Sequence, residues 1–243
     1  MKIEKVLGYD VVASDKEAFL HQVLEDLRAG DQKTVFAINP EKIVTAEENL
    51  LVKEMLHEAD YLIPDGNGIV YASKKLGGGI RQTITGVDLA QDLCRLAGEN
   101  RYSVFLYGAK EEVVKGAEEK LKEKYGPVIA GRMNGYEKDD EKIIQAINQS
   151  GAQILLVALG SPKQEVWMSR YRGRLEGVKI LQGVGGSFDV FAGAVARAPK
   201  IFRKLRLEWL YRMIRQPSRL KRNVKLLDFM AMVRQAARKN KKA

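Results

Sequence analysis

Strand-like runs alternate with helix-like runs along most of this chain, and that alternation constrains the fold more than any other feature. After a short N-terminal segment, Ser14-Asp15-Lys16-Glu17 reads as a capping box that satisfies the free amides of a first helical turn. The apolar spacing of Ala18, Val23, Leu24 and Leu27 carries that helix to Gly30. Strands are predicted over 34–38, 61–63, 103–107, 128–130, 154–159 and 179–181. Helices are predicted within 67–76 and 87–98 and over 111–124, 139–149 and 163–172. Such repetition predicts an α/β fold: a mostly parallel sheet with helices on both faces. No internal repeat and no low-complexity linker interrupts it.

Ligands of open sheets of this kind sit outside the carboxyl ends of the strands, so the residues after each strand are the place to look for function. Here they are Asn39-Pro40, Pro64-Asp65-Gly66-Asn67-Gly68, Gly108-Ala109, Gly160-Ser161-Pro162-Lys163-Gln164 and Gly183-Val184-Gly185-Gly186. Asp65 follows an apolar strand and precedes a helix, so it reads either as a general base at the ligand edge or as a turn or N-cap aspartate. Asn39 either caps the next helix or offers its amide to a ligand. Gly108, opening a strand-to-helix turn, can present backbone amides and a helix N-terminus to a phosphate, although one glycine is a weak signal. The segment 183–189 lacks the spacing and the following helix of a dinucleotide fingerprint, and no P-loop pattern occurs.

Other chemistries are poorly served. His21 and His57 both fall in predicted helices and are expected at the surface, which argues against histidine metal sites and Ser-His-Asp catalysis. Cys94 is the sole cysteine, so neither an internal disulfide nor a cysteine metal cluster is possible, and a half-buried helix thiol is expected. No Asp-x-Asp pair is present to hold a divalent cation against a diphosphate, so no metal is expected and positive side chains would have to stabilise such a leaving group. The most apolar stretch, 154–159, is too short to span a membrane, and the N-terminus lacks the build of a signal peptide. A cytoplasmic protein that visits a membrane surface is the expectation.

The charge is unevenly placed. Residues 197–243 carry 16 of the 41 Lys and Arg against two acidic residues, Glu208 and Asp228, while residues 1–196 carry 25 basic against 29 acidic. The net charge of +10 therefore belongs to a basic appendage, 197–243, attached to a faintly acidic body, 1–196. Ile201, Phe202, Leu205, Trp209, Leu210 and Ile214 are threaded among the cations, which makes the appendage amphipathic. An anionic lipid surface uses both halves of that pattern, at roughly 1 kcal/mol per basic residue. Nucleic acid would use the charge alone, and a terminal helix packed on the body with a basic outer face is the third reading. Arg212, Arg215, Arg219 and Arg222 recur at steps of three or four, fit to grip a diphosphate or lipid headgroups, although Pro217 should break or kink a helix there. Self-association of the body through the apolar surface that tail or membrane would otherwise cover is left open.

In order, Asn39-Pro40-Glu41, Pro64-Asp65-Gly66-Asn67-Gly68, Thr85-Gly86-Val87-Asp88, the Leu-Gly-Ser-Pro-Lys-Gln-Glu block ending at Glu165, Gly183 to Asp189, Arg197-Ala198-Pro199 and the Glu-Trp-Leu-Tyr-Arg block ending at Arg212 resemble the WecG/TagA/CpsF family of bacterial glycosyltransferases. The resemblance spans nearly the whole chain. It implies a Rossmann-like body and an inverting, metal-independent transfer of N-acetylmannosamine from UDP to N-acetylglucosamine on undecaprenyl diphosphate. A C-terminal appendage would join the site at the membrane. By that pattern Asp65 would be the base; Asn39 and Gln164 would line the sugar pocket, with Asn67 among the substrate-binding residues; Tyr136 and Asp189 would lie near the nucleotide; and Arg212, Arg219 and Arg222 would neutralise diphosphate. The chain departs from the pattern at Ala37, where members have Thr, at Thr83, where they have Arg, and at Asn134, where they have His. By that pattern these departures would change which UDP-sugar fits, shift charge work to Arg81, or reduce activity, to the point of a member that binds UDP-sugar without transferring it. The rival class is a non-enzymatic protein binding nucleic acid through its basic tail, with steeply salt-dependent affinity.

Overall fold

The structure is a computed structural model that describes residues 1–195 and 220–240. It opens with a hairpin absent from the sequence expectations: β1 (Ile3–Val6) and β2 (Tyr9–Val12) pair antiparallel around the two-residue turn Leu7-Gly8. Both turn residues have positive φ, the geometry that matches the twist of a tight hairpin. α1 (Lys16–Ala29) follows, and its N-cap is Asp15 and not Ser14: the Asp15 carboxylate accepts from Ala18 N at 2.8 Å. The capping box is displaced by one residue because Ser14 Oγ instead accepts from Lys2 N, fastening the hairpin. Gly30 closes the helix in the left-handed region, as its position implied.

β3 (Lys33–Ile38) leads into two short helices, α2 (Pro40–Glu48) and α3 (Leu50–Glu58), before β4 (Tyr61–Pro64). Then come α4 (Asn67–Leu76), α5 (Gly86–Asn100), β5 (Val104–Gly108), α6 (Glu111–Tyr125), β6 (Ile129–Met133) and α7 (Asp140–Ser150). β7 (Ile154–Ala158), α8 (Lys163–Tyr171), β8 (Ile180–Gly183), the five-residue α9 (Ser187–Phe191) and, after the undescribed stretch, α10 (Leu220–Asn240) complete the order. The predicted strands and helices all occur, most with ends moved by one to three residues. A short helix does follow the glycine-rich segment after β8, contrary to expectation, but it has only five residues.

The strands form one sheet in the order β1-β2-β4-β3-β8-β7-β5-β6, parallel except for β1. Side chains alternate between its faces. Leu155 and Val157 point into a layer roofed by α2, α3, α4, α7, α8 and α10. Ile154, Leu156 and Ala158 point into one roofed by α1, α5, α6 and α9. Strands covered on both sides need unbroken apolar runs, which is why β5 and β7 are buried throughout. Cys94 sits wholly inside the second layer, not half-buried, and burial pushes its thiol up to about 12. His21 and His57 are exposed, the latter stacked on Tyr9 at 4.9 Å.

α10 packs on α2 and α4 through Phe229 and Val233, both buried, while Lys225 Nζ donates to Thr45 Oγ1 at 2.9 Å and to Glu48 at 2.8 Å. The last part of the basic appendage is thus a helix held to the first layer. Residues 197–215, read as amphipathic from the sequence, lie outside the described residues, as does Pro217.

Candidate active site

Parallel strands deliver their following loops to one edge, and the register decides which of them meet. Ile38 is paired with Pro64, so Asn39 and Asp65 leave neighbouring strands side by side; Asp65 N donates to Ile38 O at 2.9 Å. Asn39 is the N-cap of α2, its side-chain oxygen accepting from Lys42 N at 2.9 Å with Pro40 supplying the first helical position. That engages the oxygen of the amide with the helix; the nitrogen is the donor half of the side chain. Asp65 is half-buried, and Asn67 is exposed at the start of α4. Gly68, one residue on, faces the Pro40 ring, where a Cβ would collide with Cγ. The N-termini of α2 and α4 therefore converge beside the two side chains.

Next in the sheet, Gln164 is buried at the start of α8, its amide resting on the Cα of Gly183 at the end of β8. Gln164 Oε1 accepts from Gly185 N at 2.9 Å, locking the loops after β7 and β8 together. Val184 N donates to Val157 O and Ala109 N to Ala158 O, so the loops after β8, β7 and β5 form a continuous rim. Gly108 is buried with φ 122°, and a Cβ there would meet the Ala158 backbone at 2.5 Å, so only glycine lets these strand ends close up. The phosphate reading of its helix meets an obstacle: Glu111 and Glu112 occupy the first turn of α6, where their charge already answers the dipole. Asn134 and, after it, Arg132 hydrogen-bond Glu111 and hold its carboxyl below the usual range.

The remaining predicted residues lie around this rim. Tyr136 is 69% exposed on the loop after β6, its N–H donating to Asn134 Oδ1, and Gly135 N ties that loop to Ala109 O. Asp189 is half-buried in α9. Thr83 is half-buried next to Ile84, whose N–H donates to Pro64 O and so draws the loop between α4 and α5 over the end of β4. Arg81 is exposed and donates to Gly78 O of its own loop at 3.0 Å. Arg212 and Arg219 lie outside the described residues; Arg222 is in the first turn of α10, with its side chain outside them.

The pattern of Asn39, Asp65 and Gln164 at one sheet edge sits within a match to the glycosyl transferase WecG/TagA/CpsF family that covers residues 4–243. The chain belongs to this family. Membership makes it a glycosyltransferase and implies a sugar-nucleotide donor and a lipid-linked acceptor. Among the described residues of this WecG/TagA/CpsF member, no three His, Cys, Asp or Glu side chains converge as metal ligands, and no helix is long and apolar enough to cross a membrane.

Two residues at the edge were not singled out from the sequence. Lys42 and Glu165 are buried there and joined Nζ to Oε1 at 2.7 Å. Glu165 lies in the Leu-Gly-Ser-Pro-Lys-Gln-Glu block, so its presence near the site was readable. Nothing in the sequence marks Lys42, three residues after Asn39, as an interior lysine.

Proposed function

We propose that the protein transfers N-acetylmannosamine from its UDP conjugate to N-acetylglucosamine on undecaprenyl diphosphate. The acceptor hydroxyl oxygen attacks the anomeric carbon as the bond from that carbon to the diphosphate breaks. Asp65 takes the hydroxyl proton, and UDP departs with both bonding electrons. Attack from the face opposite the leaving group inverts the centre and leaves a β-linked disaccharide on the lipid. An ordinary aspartate is charged but weakly basic at neutral pH, so it acts late, as the hydroxyl acidifies, contributing on the order of 10²- to 10⁴-fold.

The adjacency of Asn39 and Asp65 at paired strand ends, in a chain of this family, carries the assignment. It sets a carboxylate beside a carboxamide whose oxygen is already engaged. Asn39, Asn67 and Gln164 take the donor sugar; Tyr136 and Asp189 approach the nucleotide. Arg212, Arg219 and Arg222 neutralise diphosphate, whose oxygens suit arginine forks. The basic, apolar appendage holds the enzyme on the anionic cytoplasmic leaflet, where the acceptor lies.

UDP release from a panel of UDP-sugars, with and without a short-chain lipid-diphosphate N-acetylglucosamine acceptor, tests the proposal. Release from UDP-N-acetylmannosamine that depends on acceptor and collapses in Asp65→Ala is the expected result. Release from another UDP-hexose would keep the transfer reaction with a different donor, and Ala37→Thr and Thr83→Arg would then test whether those positions select it. Folded protein with no release from any donor overturns the transfer reaction proposed here.

A further inference from the structure

The Lys42 and Glu165 pair takes no part in the transfer just described, yet it lies at the centre of the sheet edge. Lys42 comes from the first turn of α2 and Glu165 from the first turn of α8, so the pair ties the helix after β3 to the helix after β7 across the end of β8. Lys42 Nζ donates to Glu165 Oε1 at 2.7 Å and to Ala37 O at 2.8 Å. Glu165 Oε1 also accepts from Gln164 Nε2 at 3.1 Å, and Gln164 Oε1 accepts from Gly185 N. With Lys42 N on Asn39 Oδ1, one polar chain runs from Asn39 through Lys42, Glu165 and Gln164 to Gly185.

Stability does not explain such a pair. Taking both charges out of water is costly, and well-packed apolar residues of similar volume commonly do as well or better. Glu165 Oε2 is moreover buried without a hydrogen-bond partner among the described residues, a further cost. What apolar residues cannot supply is direction. A carboxamide is a donor on one side and an acceptor on the other, and the two orientations are alike in shape. A carboxylate against Gln164 Nε2 admits one of them and rejects the other. The ammonium, bonded to Ala37 O and Glu165 together, fixes the turn that carries Asn39.

We propose that Lys42 and Glu165 are positioning residues for sugar transfer, setting the orientation of the Gln164 amide and the seat of Asn39; the role rests on Asn39 and Gln164 lining the sugar pocket. Neither charge need touch substrate. Loss of the pair leaves the nucleotide end of the donor bound while the sugar is held loosely.

The test uses the full chain with both residues replaced, Lys42→Met with Glu165→Leu, beside Asn39→Ala, Gln164→Ala and the triple variant. Unfolding midpoint, UDP affinity and steady-state transfer are measured for each. The double variant is expected to unfold no earlier than the parent and to bind UDP equally well, with kcat lower on the order of 10²-fold, as for a small misplacement of reacting groups. Adding Gln164→Ala to it should cost less than the same change costs the parent, since the amide has already lost its Glu165 partner and keeps only the bond from Gly185 N. A folded double variant with parental kcat, while Gln164→Ala is impaired, overturns the positioning role and leaves the sugar pocket standing. Parental turnover in both Asn39→Ala and Gln164→Ala overturns the pocket itself. If the double variant does not fold, Glu165→Gln decides by the same comparison, because it keeps the shape and removes the charge.

Discussion

Gly68 lies directly against the ring of Pro40, and a single methyl group on Gly68 has no room there. The contact joins the first turns of the helices that follow Asn39 and Asp65, so it sets the separation of the two side chains at the sheet edge. Gly68→Ala should therefore push α4 from α2, costing about 1–3 kcal/mol as overpacking does. Transfer should fall further than folding does, because the displacement occurs one turn from the proposed base. Thermal unfolding and turnover measured on the same preparation check this. A stable variant with parental activity would show that the edge tolerates the shift.

Phe229 is fully buried in the layer that α10 shares with α2 and α4, and its ring approaches the same Gly68. Truncating a buried phenylalanine costs about 3–5 kcal/mol when the site does not collapse. The loss here falls on the docking of one terminal helix, so Phe229→Ala should raise amide exchange across 225–240 and in α2 while leaving β5 and β7 protected. Uniform destabilisation of the sheet would contradict that picture. Removing the whole basic appendage is a blunter experiment, since it also strips this helix from the body.

The parallel sheet and its active edge were legible because both depend on local signals. Apolar runs bounded by Gly and Pro mark the strands, and in a parallel sheet every loop after a strand reaches the same side. The hairpin of β1 and β2 was missed because its turn, Leu7-Gly8, is not one of the common turn dipeptides and its strands have four residues each. α2 and α3 were legible only in part: Asn39 reads as a possible helix cap and His57 as a helical residue, but Asn39-Pro40 reads equally as a loop and sets no helix bounds. The shift of the α1 cap from Ser14 to Asp15 follows from Ser14 bonding Lys2, a contact twelve residues away. Burial of Lys42 is equally a tertiary fact, since its partner Glu165 lies 123 residues on.

Cys94 offers a test of the second layer that needs no substitution. Burial raises its thiol to about 12 from an ordinary value near 9, so almost no thiolate exists at neutral pH in the folded protein. The folded state keeps that proton where the unfolded chain loses it. Its contribution to stability is therefore full below pH 9 and is lost as pH rises from about 9 towards 12. A thiol reagent at pH 8 should label Cys94 only as fast as the layer opens, and at once in denaturant. Rapid stoichiometric labelling of folded protein would mean that α5 is not seated against the sheet.

Asn39 has two separable duties, a structural one through Oδ1 and a proposed chemical one through Nδ2. Asn39→Ala removes both: loss of the cap costs about 1 kcal/mol, and transfer should nearly cease. Asn39→Asp restores an oxygen for Lys42 N and with it the cap, so stability should return to the parental level, helped by a negative charge at a helix N-terminus. It also replaces the amide donor by a second carboxylate on the strand beside Asp65. A charge that repels Asp65 and cannot donate to a sugar hydroxyl should leave transfer as low as in the alanine variant. Unfolding midpoints that separate the two variants, with turnover that does not, would assign the amide nitrogen to the donor sugar. Recovery of turnover in Asn39→Asp would reduce Asn39 to a cap.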